Sequence, residues 1–267
     1  MVLAVNPVNL QTDIIPTRSV DFFQFVPRDR WRHSPFRRGL SEYAAQPCPL
    51  QNDGLVQADA TVEGSFLTVD LCPSRKPFEK RLFVALLDLW QDSPNPAPVG
   101  IAVTGAWAAA HEDALRWLQD QARGNKLDIT WINHSFSHPY DRFQPLEKTF
   151  LLTPGTDFRR EVLATEIMLI ERDILPSVFF RFPGLVSNCR LMARLKKLSL
   201  IPVGSRAWLA KGEAPVTGSI ILVHGNGNEP LGIDLLLDLF RSGRIEFTAG
   251  NLRLRPLQDA IANPAAH

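Results

Sequence analysis

The residues of this 267-residue chain best suited to chemistry stand in Asn133-His134-Ser135-Phe136-Ser137-His138-Pro139, which holds two of its six histidines. On a turn of helix, residues i and i+4 share a face, so both imidazoles can address one metal ion. The segment follows Leu127-Asp128-Ile129-Thr130-Trp131-Ile132, which reads as a buried strand, and Pro139 stops further regular structure. A strand that ends in two nitrogen ligands is a place for chemistry. A bare H-x-x-x-H is also found among ordinary surface or capping histidines, so its weight depends on what the fold brings to it.

The elements that must position this pair begin at Phe66. Apolar runs at residues 66–71, 99–105, 127–133, 177–182, 200–204, 219–225 and 244–250 read as strands. Between them, residues 77–91, 106–124, 157–173, 187–198 and 232–243 read as helices, with Pro77 in a first turn, Asp157 as an N-cap and Gly124 as a stop. The strands are continuous rather than alternating, which suits a parallel sheet covered on both sides. Seven βα units in roughly 190 residues fit a barrel slightly smaller than the eight-unit kind. The fold class expected is therefore α/β over residues 61–267, a doubly wound sheet or, by this count, a (β/α)7 barrel. Residues 1–60 are broken by proline and glycine and lack a sustained period, so they read as an N-terminal extension packed on that domain. Within it, Arg28 to Arg38 carries five arginines with Trp31, His33 and Phe36, and reads as an arm with solvated arginines and buried aromatics.

Composition narrows the function classes. Hydrophobic content of 45% and charged content of 21% are those of a soluble globular protein with a sizeable core. A net charge of +1 gives no global field for nucleic acid or a membrane surface. No apolar run approaches the about 20 residues of a membrane span. The first residues have no basic region or cleavage site of a signal peptide. The three cysteines, Cys48, Cys72 and Cys189, allow at most one disulfide, and the sequence does not choose the pair.

In such folds the site lies at the C-terminal ends of the strands. Standing there are Thr68-Val69-Asp70-Leu71-Cys72-Pro73, Asn133 with His134 and His138, Arg181-Phe182-Pro183-Gly184, Gly204-Ser205-Arg206-Ala207-Trp208, and Leu222-Val223-His224-Gly225-Asn226. A carboxylate, two close histidines, an arginine and a separate histidine meet on one face.

At this point the chain resembles the polysaccharide deacetylases, the NodB-homology carbohydrate esterases. TVDLCP stands where the family's first motif reads T-F-D-D-G-P. NHSFSHP resembles its second, H-[ST]-x-x-H, RFPG its arginine-proline segment, and LVH its L-x-H, all in the family's order. The resemblance implies a distorted (β/α)7 barrel and a metal-dependent hydrolase, with zinc or another divalent metal, that removes acetyl groups from an N-acetylated or O-acetylated carbohydrate polymer or oligosaccharide. It also implies an exported, periplasmic or extracellular location. His134 and His138 look like metal ligands, Asp70 like the general base, Arg181 like the group that holds that base, and His224 like the general acid. The roles suit the types: a carboxylate takes a proton from water, an imidazole returns one to the departing amine, and a guanidinium keeps the carboxylate ionised.

The chain departs from the family at Leu71, where the family's third metal ligand is an aspartate, and at Cys72, where it has glycine. Three readings follow: Asp70 itself ligates the metal, Cys72 does so as a thiolate, or the metal binds weakly and the protein is a non-catalytic carbohydrate- or metal-binding module. Asp70 is ranked first, because only it sits at a family-matched position. Where many relatives carry an acid supporting the acid histidine, the chain has Arg206, with Glu213 the nearest substitute. Trp208 reads equally as groove wall or core. Asn133 and Ser135 could orient the two histidines, and the polar loop Gly225–Pro230 could reach over the site.

Overall fold

The computed structural model describes residues 2–16, 28–45, 47–59, 61–245 and 253–261. Seven strands form one sheet: β3 (Phe66–Leu71), β4 (Ala97–Val103), β5 (Leu127–Asn133), β6 (Phe179–Phe180), β7 (Ile201–Pro202), β8 (Ala207–Trp208) and β9 (Ile220–His224). Their order is β7-β6-β5-β4-β3-β9-β8, and every pairing is parallel. Before them come a hairpin of β1 (Val2–Val5) and β2 (Thr12–Ile15) and two short helices, α1 (Arg28–His33) and α2 (Pro35–Glu42). The remaining helices are α3 (Lys80–Leu89), α4 (Gly105–Ala110), α5 (Glu112–Arg123), α6 (Phe158–Ile170), α7 (Cys189–Lys197) and α8 (Pro230–Arg241). The architecture is the expected distorted (β/α)7 barrel.

Strand periodicity sorts the side chains of β3. All six residues are buried. Leu67, Val69 and Leu71 point outward, into a core shared with Leu82, Phe83 and Leu86 of α3 and Ile233 and Leu236 of α8. Thr68 and Asp70 point into the barrel. On that inner side, Phe66, Ala102, Ile132, Phe179 and Ile201 pack with Leu10, Phe36, Leu40 and Leu55 from the first sixty residues. That segment therefore supplies part of the core, with elements too short for a periodic pattern to reveal.

The barrel is open between β7 and β8, and residues 51–58 fill the gap. Leu55 N–H donates to Pro202 O and Gly204 N–H to Leu55 O, both at 2.9 Å, while Ile220 N–H donates to Val56 O at 3.2 Å and Ala58 N–H to Gly218 O at 2.9 Å. A disulfide between Cys48 and Cys189 ties the start of this segment to the first residue of α7, leaving Cys72 as the free, buried cysteine.

Two expectations change. The helix expected over 106–124 is two helices, since His111 (φ −129°, ψ 49°) ends α4 and the acids Glu112 and Asp113 favour a fresh N-terminus just after it. The seventh strand is Ala207–Trp208, paired with Ile221 and Leu222 of β9. Of the strand expected over 244–250, Arg244 and Ile245 are not in a strand and 246–250 lie outside the described residues. No helix among the described residues is long and apolar enough to cross a membrane.

Candidate active site

Parallel register places the strand ends level. Asp70 stands opposite His224 across β3 and β9, and Asn133 opposite Phe180 across β5 and β6. Inward-pointing Asp70 meets Arg181, which follows β6. Asp70 Oδ1 lies 2.6 Å from Arg181 Nη1. Arg181 is fully buried, and its guanidinium also donates to Thr68 Oγ1 at 2.8 Å, Gly204 O at 2.9 Å and Val203 O at 3.4 Å. A buried cation so fully hydrogen-bonded is held in place. Burial alone would push the Asp70 carboxyl up, but Arg181, with the His134 and His224 imidazoles, outweighs it and holds the carboxyl below its ordinary range. Asp70 Oδ2 lies 3.7 Å from His134 Nε2.

His134 and His138 do come together, with ring centroids 5.0 Å apart. They do so on a loop rather than on a helical turn: Ser135 (φ 67°) and His138 (φ 47°) are left-handed. The loop is held by Gly105 N–H donating to Ser135 O at 3.1 Å and by the Glu161 carboxylate on α6. That carboxylate accepts from Phe136 N–H at 3.1 Å, Ser137 N–H at 2.8 Å and Ser137 Oγ at 2.7 Å. A Cβ on Gly105 would collide with the Phe136 ring, so glycine is required where the loop crosses the start of α4.

The side chains of Asn133 and Ser135 make no hydrogen bond to the imidazoles among the described residues. Asn133 accepts from Ser135 N–H at 3.0 Å and donates to Val162 O at 2.9 Å. His134 is oriented instead by the Arg181 carbonyl, 2.8 Å from Nδ1. A carbonyl only accepts, so Nδ1 carries a proton and Nε2 is the nitrogen that faces the site.

Cys72, one residue beyond β3, shares the inward face with Asp70. Its Sγ lies 3.5 Å from His134 Nε2. The donor atoms of Cys72, His134 and His138 all lie within 4.8 Å of one another, as do those of Asp70, Cys72 and His224. Among the described residues no such group joins Asp70 to both His134 and His138. Leu71 is fully buried in the outer core and points away from all of them. Burial pushes the Cys72 thiol up, yet the imidazoles of His138, His134 and His224 dominate and hold it well below its usual value.

His224 has an acid partner, but not Glu213. Its Nδ1 lies 2.8 Å from Glu229 Oε2, within hydrogen-bond distance though not in hydrogen-bond direction. The same carboxylate accepts from Trp208 Nε1 at 2.8 Å, whereas Glu213 accepts from the Trp208 backbone N–H at 2.7 Å. Burial disfavours the imidazolium, but Cys72, Glu229 and Asp70 raise His224 well above its ordinary value. Arg206 is exposed. Trp208 lies against His224, with ring centroids 5.6 Å apart.

A groove of about 540 Å³ has Cys72, His138, Tyr140, Phe150, Trp208, His224 and Glu229 in its walls, while Asp70, His134 and Arg181 are buried and do not line it. Tyr140 stacks on Phe150 at 5.0 Å, and Phe150 meets His138 edge-on at 5.5 Å. A fixed carboxylate buried beside a raised imidazole and a cluster of soft and nitrogen donors is a set of groups able to carry hydrolytic chemistry.

The fold has known counterparts. A family 4 carbohydrate esterase from Bacillus anthracis superposes with a TM-score of 0.52 at 22% identity, over 79% of this chain and 89% of that one. The chain has the family 4 carbohydrate esterase fold. A peptidoglycan N-acetylglucosamine deacetylase matches at TM-score 0.51 and 16% identity, over 77% of this chain and 91% of that one. A mutant of a family 4 pseudoenzyme matches at TM-score 0.51 and 13% identity, over 79% and 72%. No protein-family profile matches the chain. The fold thus carries both active and inactive members, and the residues must decide between them.

Proposed function

We propose that the protein is a metal-dependent hydrolase that removes acetyl groups from an N-acetylated or O-acetylated carbohydrate. The observation that carries this reading is that the buried Asp70–Arg181 pair and His134 meet His138, Cys72 and His224, three residues that line one groove. The deacetylases that share the fold support the substrate class.

The donors suit a divalent metal, most naturally zinc: His134 presents an oriented Nε2, and His138 and Cys72 stand within 4.8 Å of it and of one another. If bound, such a metal would supply Lewis acidity toward the acyl oxygen and the attacking water. The chain supplies the rest. Arg181 holds Asp70 ionised and fixed through Oδ1, so that Oδ2 takes the proton of the attacking water. His224, kept protonated by its acidic surroundings, donates to the departing nitrogen or oxygen. Glu229 supplies a counter-charge 2.8 Å from the His224 imidazole, and the Trp208 indole donates to Glu229. Tyr140, Phe150 and Trp208 offer flat apolar surfaces to a sugar ring.

Two further assignments belong to the same proposal. Residues 61–267 form the catalytic domain, and residues 1–60 are an extension that completes its barrel. The protein works in an exported, oxidising setting, which the Cys48–Cys189 disulfide supports.

The competing reading is a carbohydrate- or metal-binding module without activity, favoured by leucine at position 71 and by the pseudoenzyme of the same fold. Acetate release from N-acetylglucosamine oligomers separates the two. Release by the wild-type protein that is lost in His224→Ala supports the enzyme; no release from any N- or O-acetylated oligosaccharide by metal-loaded protein supports the module.

A further inference from the structure

We propose that Cys72 is the third protein ligand of the metal, bound as a thiolate, and that Asp70 is thereby left to act only as base. The inference rests on the metal-dependent reading above and deepens it.

Geometry carries the argument. Zinc–sulfur bonds are about 2.3 Å and zinc–nitrogen bonds about 2.0–2.1 Å, so the sulfur–nitrogen edge of a tetrahedral site is about 3.5 Å. Cys72 Sγ and His134 Nε2 are 3.5 Å apart. His138 completes a triangle in which no donor separation exceeds 4.8 Å. Catalytic zinc takes three protein ligands and leaves one position open, and this triangle provides three.

The alternatives are less well placed. Leu71 lies behind the strand in the outer core. Asp70 is bound at 2.6 Å to a guanidinium that is itself hydrogen-bonded on every side. The second Asp70 oxygen, Oδ2, is 3.7 Å from His134 Nε2, but among the described residues no set of donors within 4.8 Å of one another joins Asp70 to both His134 and His138, as Cys72 is joined. The Cys72 backbone is also held in register, because Asn226 Nδ2 donates to Cys72 O at 3.0 Å and Pro73 follows directly. The strand thus presents two consecutive inward side chains with different duties: Asp70 for the proton and Cys72 for the metal. A thiolate in the set also biases the site toward softer ions such as zinc, cobalt and cadmium over magnesium or manganese.

The test uses cobalt(II) titrated into metal-stripped full-length protein. The expected result is one cobalt per chain with a near-ultraviolet thiolate-to-cobalt charge-transfer band. Cys72→Ser should lose the band and weaken binding on the order of 100-fold or more, and Cys72→Asp should retain cobalt without the band. With Cys48 and Cys189 paired, Cys72 is the free thiol. Cobalt should therefore slow its alkylation by iodoacetamide at least about tenfold, a readout that needs no variant to fold. One cobalt per chain with no thiolate band, or a band that survives in Cys72→Ser, overturns the Cys72 assignment and leaves the metal-dependent reading intact. Unchanged alkylation in the presence of bound cobalt does the same. Absence of cobalt binding to the wild-type protein overturns both. Acetate release that persists in metal-free protein and ends on alkylation would make Cys72 a nucleophile instead.

Discussion

Oε2 of Glu229 lies 2.8 Å from Nδ1 of His224 and also accepts the indole N–H of Trp208 at 2.8 Å. One carboxylate on a loop is thus the close ion-pair partner of the imidazole that faces the groove and the hydrogen-bond acceptor of the aromatic ring beside it. Its own acidity is shifted to match: burial would raise it, but His224 and Trp208 hold it below the usual carboxylate range.

This pairing predicts a pH effect. A general acid works only while protonated, so activity falls as pH rises through the His224 value. Burial lowers that value, and Cys72, Glu229 and Asp70 more than restore it. Glu229→Gln removes one of the raising charges. The alkaline limb of the kcat profile should therefore move to lower pH, with a loss at neutral pH smaller than the roughly 10²- to 10⁴-fold loss expected for His224→Ala. An alkaline limb in the same place would remove Glu229 from the mechanism.

Asp70→Asn should keep the metal and lose the rate. An amide cannot take a proton from water, so turnover should fall on the order of 10²- to 10⁴-fold. Metal content, measured on variant and wild type after identical dialysis, should match, because the ligands proposed are Cys72, His134 and His138. Removing one partner of a buried pair costs about 3–5 kcal/mol, so the variant should also melt earlier. Loss of the metal would return Asp70 to the ligand set.

Leu71→Asp installs the aspartate of the motif that TVDLCP resembles and should nonetheless harm the protein. Leu71 is buried beside Val69 and Leu82, and its Cδ2 lies against Gly225. An unpaired carboxyl there should cost about 3 kcal/mol or more in denaturant unfolding, without tightening metal binding. A variant of wild-type stability that binds metal more tightly would show that position 71 reaches the site.

Away from the groove, Glu166 on α6 makes a stability prediction. Burial pushes its carboxyl from the ordinary 4.5 up to about 7, partly offset by a hydrogen bond with Asn133. A raised carboxyl means that the folded state holds a proton the unfolded chain has lost. Stability should decline as pH rises through this window, and the full penalty applies above about 7. Glu166→Gln should leave stability unchanged below pH 4.5 and raise it by about 1–3 kcal/mol at pH 8. Equal unfolding free energies of the two proteins at pH 8 would refute the shift.

Much of this was legible in the sequence for reasons that are local. Continuous apolar runs such as Phe66–Leu71 and Leu127–Asn133 announce buried parallel strands, and strand ends locate the site. What was not legible depends on paths between distant residues. The His134–His138 spacing suggested a helical turn, but two left-handed residues and the Glu161 carboxylate make it a loop. Cys72 and Asp70 share strand parity, which left both open as ligands; only the fold reveals how firmly Arg181 claims Asp70. Glu229 was visible as the sole acid in the polar loop after His224, yet Glu213 competed until the turn brought Glu229 back onto the imidazole. Ala207–Trp208 is too short a strand to signal itself and exists by pairing with β9.

The most direct test of the account is acetate release from N-acetylglucosamine oligomers by protein stripped of metal and then reloaded with one equivalent of zinc. The account predicts negligible release by the stripped protein and recovery on reloading, with no recovery in His134→Ala or His138→Ala. Undiminished release by the stripped protein, or full recovery in both histidine variants, would contradict it.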